Sequence, residues 1–583
     1  MFKLFKYMNW KEWLLLILTL CFVAGQVWCN ISLPQCTLEI SQILGAENFT
    51  DRWVDIIYAC MKMLGYALGV VLCAIIAHYL SSYVITNLLA RVRSKVFARV
   101  NGFSASEINK FSIPSLITRS TNDITQLQQV LTTTITLGLQ APLTAILAII
   151  NIAQISLGNS AGQLSLVNVV SVIAICLVVT IIVFTVVPKF KKIQKATDGL
   201  NLVTRENLTG LKVVRAYSAE KTQEEKFENV NSRYAKLSIF VDRVLAIIEP
   251  SLSFIMQGTS LAIVWMIGLL AGENPELLLV MSAFTQYSIF IIMSFTSLSV
   301  LFMFVPRGIV SGRRINEVLD TKTSLVDGQG LKPTEKGTIS FKNVYFRYPD
   351  SDADVLENIN FDVKQGQTIA FIGSTGSGKS TLINLIPRFY DCSDGVILIN
   401  GQNVKDYTQN VLHEMIGYVP QKGILFSGSV KDNIKYGNEN ATDEEIAKAI
   451  DISQSNFIYN FPEGLDYHIS QGGKNVSGGQ KQRLSIARAI IKNPDILIFD
   501  DSFSALDYKT DKIVRQKLNE NFKDTTKVIV AQRIGTIMNA DIIVVLNEGK
   551  IVGMGKHEDL LKTCDVYREI ALSQLSKEEL ENE

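Results

Sequence analysis

Two stretches of the chain carry residue types suited to nucleotide chemistry. In TIAFIGSTGSGKSTLINLI an apolar strand (Thr368–Ile372) runs into Gly373, Ser374, Thr375, Gly376, Ser377, Gly378, Lys379, Ser380 and Thr381, and then into a helix. The pattern G-x-x-x-x-G-K-S between a strand and a helix is a phosphate loop. Its glycines let backbone N–H groups close around phosphates, and the helix start adds a favourable dipole. Lys379 is expected to reach the β- and γ-phosphates and Ser380 to bind Mg²⁺. In ILIFDDSFSALD (496–507) a second apolar strand delivers two carboxylates to its tip. Asp500 is the expected water-mediated partner of Mg²⁺. Asp501 stands where a hydrolytic base is expected, but it is the shorter of the two acids. Between these stretches, YVPQ (418–421) presents Gln421, whose amide oxygen can coordinate the metal. NVSGGQKQRLSIARAI (475–490) sets Ser477, Gly478, Gly479 and Gln480 at a helix start, again an anion-binding geometry.

These motifs need a scaffold, and length and composition outline one. At 583 residues the chain is too long for one ordinary domain. Hydrophobic residues make up 48%, and the excess is uneven: 1–310 carries long apolar runs, whereas 320–583 reads as a soluble α/β domain. The net charge of +1 gives no bulk electrostatic reason to bind nucleic acid. The eight cysteines (Cys21, Cys29, Cys36, Cys60, Cys73, Cys176, Cys392, Cys564) form no CxxC pairs or metal spacings. Cys29 and Cys36 flank an expected outer loop, where pairing is open to them but not required.

The start, MFKLFKYMNWKEWLLLILTL, is basic and aromatic and reads as an interfacial helix (1–12) leading into a spanning helix, not as a cleavable signal peptide. Six apolar runs reach the length needed to span a bilayer, near 13–33, 56–88, 127–157, 164–188, 245–271 and 277–306. They place a six-helix membrane domain at 13–314. The segments 89–125 and 188–244 are rich in Lys and Arg, whereas 34–52 and the link after span 5 carry Glu39, Glu47, Asp51, Glu273 and Glu276. Basic loops face the cytoplasm, so both termini and the soluble domain are expected inside, in the cell membrane. Each basic segment reads as two amphipathic helices joined by a cross-piece, near 105–120 and 206–221. Inside the spans Gln140, Asn151, Gln154, Gln286, Tyr287, Phe290, Met293 and Phe295 offer a neutral, partly aromatic lining. Such a lining suits apolar or amphipathic molecules better than inorganic ions. A linker at 315–337, with Gly and Pro in its second half, leads to the soluble domain at 338–575 and an acidic tail at 576–583.

The phosphate loop, the glutamine loop, SGGQ, the ILIFDD strand and SALD follow one another as they do in ABC transporter ATPase domains. With six preceding spans, the chain resembles a half-transporter of the ABC exporter family, similar to bacterial multidrug exporters. The fold implied is an α-helical membrane domain fused to an α/β P-loop ATPase domain with a helical subdomain. The resemblance implies that two such chains sandwich two ATP molecules, each site joining one chain's Walker motifs to the other's signature. By motif position Tyr348 in FRYP would stack on adenine, the Asp507 loop would cross the dimer interface, and the two cross-pieces would be coupling helices.

The sequence departs from the family at several positions. The residue after the Walker B aspartate is usually Glu; here it is Asp501. The later switch residue is usually His; here VIVAQRIG gives Gln532. Gln471 replaces a common Glu, and Val476 a usual Leu, upstream of an otherwise intact signature. Asp is one methylene shorter than Glu, and Gln can hydrogen-bond a phosphate but carries no proton or charge. The expectation is therefore a site that binds ATP and Mg²⁺ (through Ser380, Gln421 and Asp500) but hydrolyses slowly. The chain would be the degenerate-site subunit of a heterodimeric exporter of amphipathic compounds, lending its signature to a second half-transporter. Alternatives are an importer on the same membrane fold, or an ATP-gated regulatory or channel-like protein. Six spans exclude a soluble ATPase acting on DNA or ribosomes.

Overall fold

The computed structural model describes residues 2–45, 52–158, 162–272 and 276–574. Glu47, Asp51 and Glu273, part of the SLGNSAGQ turn and the 576–583 tail lie outside these ranges. The chain forms two compact units, Met1–Asn101 with Pro114–Thr321, and Gly102–Ile113 with Lys322–Glu583.

The first unit is helical: a 3-10 helix (Phe2–Tyr7), then α1 (Trp10–Leu44) and α2 (Trp53–Asn101). Two short helices, α3 (Ala105–Phe111), which belongs to the second unit, and α4 (Ile113–Ser120), precede α5 (Asn122–Gly158) and α6 (Gly162–Thr209). Then come α7 (Leu211–Ala216), α8 (Glu220–Ala246), α9 (Ile248–Leu270) and α10 (Leu277–Asp320). Among the described residues, six helical stretches are long and apolar enough to cross a membrane. All run past the apolar cores expected from sequence, because charged residues extend the same helices beyond them.

Helix α1 does not end where Pro34 suggests a loop. It continues to Leu44, with Cys36 fully buried and Lys62 of α2 paired to Glu39 at 2.6 Å. Packing here overrides the helix-breaking cost of an internal proline. The helix starts at Trp10, where Glu12 accepts from the Asn9 N–H at 2.9 Å and pairs with Arg91. Outward positions such as Leu14, Val71, Val170, Phe254 and Trp265 are exposed and apolar, as lipid contact requires. Two polar contacts tie the helices: Tyr287 is fully buried and donates to the Ile31 carbonyl at 3.1 Å, and the exposed Gln35 donates to Asn151 at 2.8 Å. Tyr287 is thus a packing residue of the bundle, not part of an open lining. All eight cysteines, Cys29 and Cys36 included, are free.

The second unit contains strands β1 (Ile339–Phe346), β2 (Leu356–Val363), β3 (Thr368–Gly373), β4 (Asp394–Ile399), β5 (Gln402–Asn403) and β6 (Ile416–Val419). It continues with β7 (Gly428–Ser429), β8 (His468–Ile469), β9 (Ile496–Asp500), β10 (Thr526–Val530), β11 (Ile542–Asn547) and β12 (Lys550–Gly555). Its helices are α11 (Lys379–Leu385), α12 (Gln409–Glu414), α13 (Val430–Lys435), α14 (Asp443–Ile452), α15 (Gly478–Ile490), α16 (Tyr508–Asn521), α17 (Ile534–Ile537), α18 (His557–Thr563) and α19 (Asp565–Gln574). The main sheet has the order β12-β11-β3-β10-β9-β6, parallel except for β12. Every residue of β9 and β10 is buried, which accounts for their unbroken apolar or near-apolar sequences. A four-stranded antiparallel sheet, β2-β1-β4-β5, packs a second core.

Helix α3 belongs to this unit. Its cap residue Ser104 and the linker residue Ser324 both hydrogen-bond Glu107, which is buried; the Ser324 N–H lies 3.1 Å away. Burial opposes it, but the Ser104 and Ser324 donors hold the Glu107 carboxyl below the usual carboxylate range. Asn109 reaches the Tyr390 hydroxyl at 3.4 Å.

Candidate nucleotide-binding site

The site lies at the carboxyl ends of β3, β10, β9 and β6, four neighbouring parallel strands. This is where an open α/β sheet leaves a crevice for ligand. Strand β3 hands over to the phosphate loop at Gly373, where a Cβ would stand 2.0 Å from the Leu546 carbonyl oxygen, so only glycine fits. Gly378 caps α11 in the left-handed region (φ 95°), a conformation glycine adopts without strain. The Lys379 ammonium turns back across the loop and donates to the carbonyls of Gly373 (2.9 Å) and Ser374 (2.7 Å) and to Ser377 Oγ (3.2 Å). Burial lowers its pKa, against the pull of the Asp501 and Asp500 carboxylates. A partly desolvated ammonium beside backbone N–H groups at a helix start suits phosphate oxygens, which would compete with these carbonyls for it.

Ser380 and Asp500 meet: the Ser380 hydroxyl donates to Asp500 Oδ1 at 3.0 Å. Asp500 is 6% exposed, and burial pushes its carboxyl up, with Ser380 opposing and the adjacent Asp501 charge adding to the rise. A hydroxyl and a carboxylate oxygen so close form a hard oxygen pair of the kind Mg²⁺ prefers. Thr381 Oγ1 lies 3.0 Å from the Tyr348 hydroxyl. The Tyr348 ring packs edge-on against Phe346 and Tyr390, at 4.8 and 5.3 Å between centroids, on the approach to α11.

The water side of the site is assembled differently. Asp501 follows β9 in the left-handed region (φ 47°), with its N–H on the Val530 carbonyl. Its side chain is 7% exposed, and Oδ2 accepts from two amides, Gln532 Nε2 at 2.8 Å and Gln421 Nε2 at 3.2 Å. Gln421 follows β6 and Gln532 follows β10, so three adjacent strand ends bring them together. Gln421 thereby turns its amide nitrogen to Asp501 and leaves its oxygen free for other partners.

Two supports of this cluster carry no sequence motif. Gln574 of α19 donates to the Gln532 carbonyl at 2.7 Å and accepts from the Ile534 N–H at 2.8 Å, pinning the switch loop. Gln482 of α15, fully buried, donates to the Pro420 carbonyl at 2.9 Å and accepts from the Gly423 N–H at 3.0 Å. The glutamine loop is thus tied to the helix that begins at the signature. An interior glutamine in an apolar helix face was the only sequence signal for Gln482.

Ser477 caps α15: its Oγ accepts from the Gln480 N–H at 3.3 Å, and the Gln480 side chain accepts from the Ser477 N–H at 2.8 Å. Gly478, exposed, and Gly479, half-buried, occupy the first turn. Among the described residues no hydrogen bond joins Ser477–Gln480 to the phosphate loop. Within one chain the signature and the phosphate loop are separate sites. Asp507 caps α16 and accepts from the Thr510 N–H at 3.0 Å, a bond that holds its carboxyl below the usual range.

A phosphate loop on a parallel sheet, with its acidic strand and a capped glycine helix start, defines a P-loop ATPase domain; six spanning helices on the same chain make it a membrane transport ATPase. The chain belongs to the ABC transporter family: residues 356–504 match its ATPase family and residues 15–302 the ABC transporter transmembrane region. It is 37% identical over 523 residues to an uncharacterized ABC transporter ATP-binding protein of Mycobacterium tuberculosis, covering 88% of each chain. It is 31% identical over 506 residues, 85% of each, to a Staphylococcus aureus protein provisionally named a multidrug export ATP-binding/permease protein. The solved structure of a bacterial Atm1-family ABC exporter with ATP bound superposes with a TM-score of 0.79 at 24% identity, over 97% of this chain and 100% of that one. The protein is a multi-pass membrane half-transporter with the exporter-type fold.

Proposed function

We propose that this chain is the degenerate-site subunit of a heterodimeric ABC exporter that moves amphipathic or apolar compounds out of the cell. The observation that carries the reading is the Asp501 carboxylate, whose Oδ2 is engaged by both the Gln532 and Gln421 amides. A base must take a proton from water within about 3 Å. An acid one methylene short, with one oxygen already accepting twice, is poorly placed for that, and about 1 Å of misplacement costs around a hundredfold. Gln532 is neutral and supplies no charge or proton at the switch position. Binding is intact: Lys379 and the loop N–H groups hold phosphates, Tyr348 offers a ring to adenine, and Ser380, Asp500 and Gln421 offer oxygens to Mg²⁺. Mg²⁺ held by these oxygens would offset the negative charge of the nucleotide phosphates.

The intact cap at Ser477, with Gly478, Gly479 and Gln480, supports the second half of the reading. An exposed helix start that meets no phosphate loop of its own chain serves the Walker site of another chain, which must carry the competent base. The basic connecting segments support a cytoplasmic ATPase domain, and export is supported by the provisional assignment of the Staphylococcus relative.

The test is ATP turnover of the purified chain with and without its partner. Alone it binds ATP with Mg²⁺ but turns over slowly; with a partner bearing Glu and His at the positions matching Asp501 and Gln532, turnover is restored. Robust hydrolysis by the isolated chain would sink the heterodimer. Substrate movement into inverted vesicles checks direction, and movement the other way would mean an importer.

A further inference from the structure

The membrane unit has an open-sided cavity of about 310 Å³ between α5, α6 and α10, with Ile149, Val169 and Ile173 exposed at its rim. Its walls are Ile152, Val172, Ile291 and Phe295, with Ser165 and Asn168 as the polar residues on the lining. It lies about two helical turns from the α5–α6 turn, since Ile152 and Asn168 are each six residues from that end of their helices. Asn168 is 7% exposed, and its Nδ2 has no hydrogen-bond partner. Three nearby polar side chains, by contrast, are paired. One turn further along α6, Ser171 and Thr259 pair at 2.6 Å, and Asn151 of α5 donates to the Leu147 carbonyl at 2.8 Å and accepts from Gln35. An amide donor buried in hydrocarbon-like surroundings without a partner is costly, and in a membrane such groups mark ligand pathways.

We propose that this cavity binds a neutral, apolar molecule carrying one hydrogen-bond acceptor, which accepts from Asn168 Nδ2. The lining contains no charged residue, so an ionised ligand would be buried without a counter-charge. The volume sits at the small end of the range for ligand sites, about 300–1,000 Å³, enough for a two-ring solute or one end of a larger amphiphile. The donor selects a carbonyl, ester or ether oxygen over a plain hydrocarbon. The same chemistry is offered by a solute dissolved in the bilayer and by a lipid chain near its ester. The site is independent of the asymmetry proposed for the ATP site and of the direction of transport.

Benzophenone is a suitable probe: two apolar rings, one ketone acceptor, and photochemical insertion into nearby C–H bonds. The full chain in phosphatidylcholine nanodiscs is irradiated in two arms, one with free benzophenone and one with a phosphatidylcholine carrying benzophenone on its acyl chain, and the adducts are mapped by peptide. Labelling is expected to concentrate in 149–153, 165–173 and 291–295. Labelling by the free probe alone identifies a dissolved solute as the occupant, and labelling by the acyl-linked probe identifies a lipid chain. Asn168→Leu keeps the shape but removes the donor and is expected to cut labelling there about fivefold, the worth of one hydrogen bond, with labelling elsewhere unchanged. Ala153→Phe, which fills the lining from an exposed position and keeps Asn168, should abolish it. Uniform labelling of all lipid-facing helices, or labelling indifferent to Asn168→Leu while Ala153→Phe still folds, overturns the proposal.

Discussion

Lys379, Ser380 and their ring of carbonyls reach the nucleotide site from one continuous loop, whereas Gln421, Asp501 and Gln532 reach it from the ends of three strands. The phosphate side is held by backbone that only glycine permits, as at Gly373, and by an ammonium with three partners. The water side is a set of side-chain amides converging on one short carboxylate. The departures proposed to matter for chemistry, Asp501 and Gln532, lie on the second side, and none lies on the first. Binding needs a preformed cradle that tolerates little change. Chemistry needs one proton acceptor placed within a fraction of an ångström, and it can be lost through a methylene while the fold stays intact.

The strongest way to break this comparison lies outside both sides. Ser477→Arg puts a bulky cation at the exposed cap of α15, where the signature is proposed to meet the partner's γ-phosphate. Heterodimer turnover is expected to fall by about 10² to 10³, the worth of a preorganised donor at developing phosphate charge, although no Walker residue has changed. A steady-state ATPase assay reads it. Lys379→Ala attacks the phosphate side, and nucleotide binding at this site should weaken about ten- to a hundredfold, as expected for a charge-assisted bond. Titration with a fluorescent ATP analogue measures this, and heterodimer turnover should fall less than with Ser477→Arg.

The paired change Asp501→Glu with Gln532→His restores both chemical groups. Turnover of the isolated chain is expected to rise by about tenfold or more, toward the 10²-fold range that positioned general-base catalysis supplies. Either single change should give much less, because Gln532 and Gln421 are already bonded to the carboxylate that would have to move. Should Asp501→Glu alone restore full turnover, the amide clamp is irrelevant and length was the only defect. The smallest effect is expected from Asp501→Asn. It removes a carboxylate proposed to be idle, so heterodimer turnover should stay within about twofold, against the 10²-fold or greater loss expected for a working base. A loss as deep as that of Ser477→Arg would make Asp501 catalytic.

The phosphate loop was legible because its chemistry is local: nine consecutive residues, from the end of a strand into the first turn of a helix. The signature cap was legible for the same reason, since Ser477 and Gln480 satisfy each other across one helical turn. The amide clamp was not, because Gln421 and Gln532 are 80 and 31 residues from Asp501 and nothing linear states that β6, β9 and β10 lie side by side. Gln574 and Gln482 escaped notice because a glutamine that bonds backbone has no motif. Asn168 carries no signal within its apolar run, because the cavity beside it is formed by three separate helices.

In the membrane unit the sequence alone determined how many spans there are, because bilayer thickness imposes a length that composition reveals. It also determined the presence of an ATP-binding loop and the presence of a short acid, Asp501, and a neutral amide, Gln532, after two strands. Tertiary structure decided that α1 runs through Pro34 to Leu44, that Tyr287 is bonded to Ile31 inside the bundle, and that α3 joins the ATPase unit through Glu107. It also decided that Asp501, already short, is held by two amides. Residue type and local spacing set what a segment can do alone, but which distant donors meet a given carboxylate depends on strand order, and strand order is settled by burying all faces of the sheet at once.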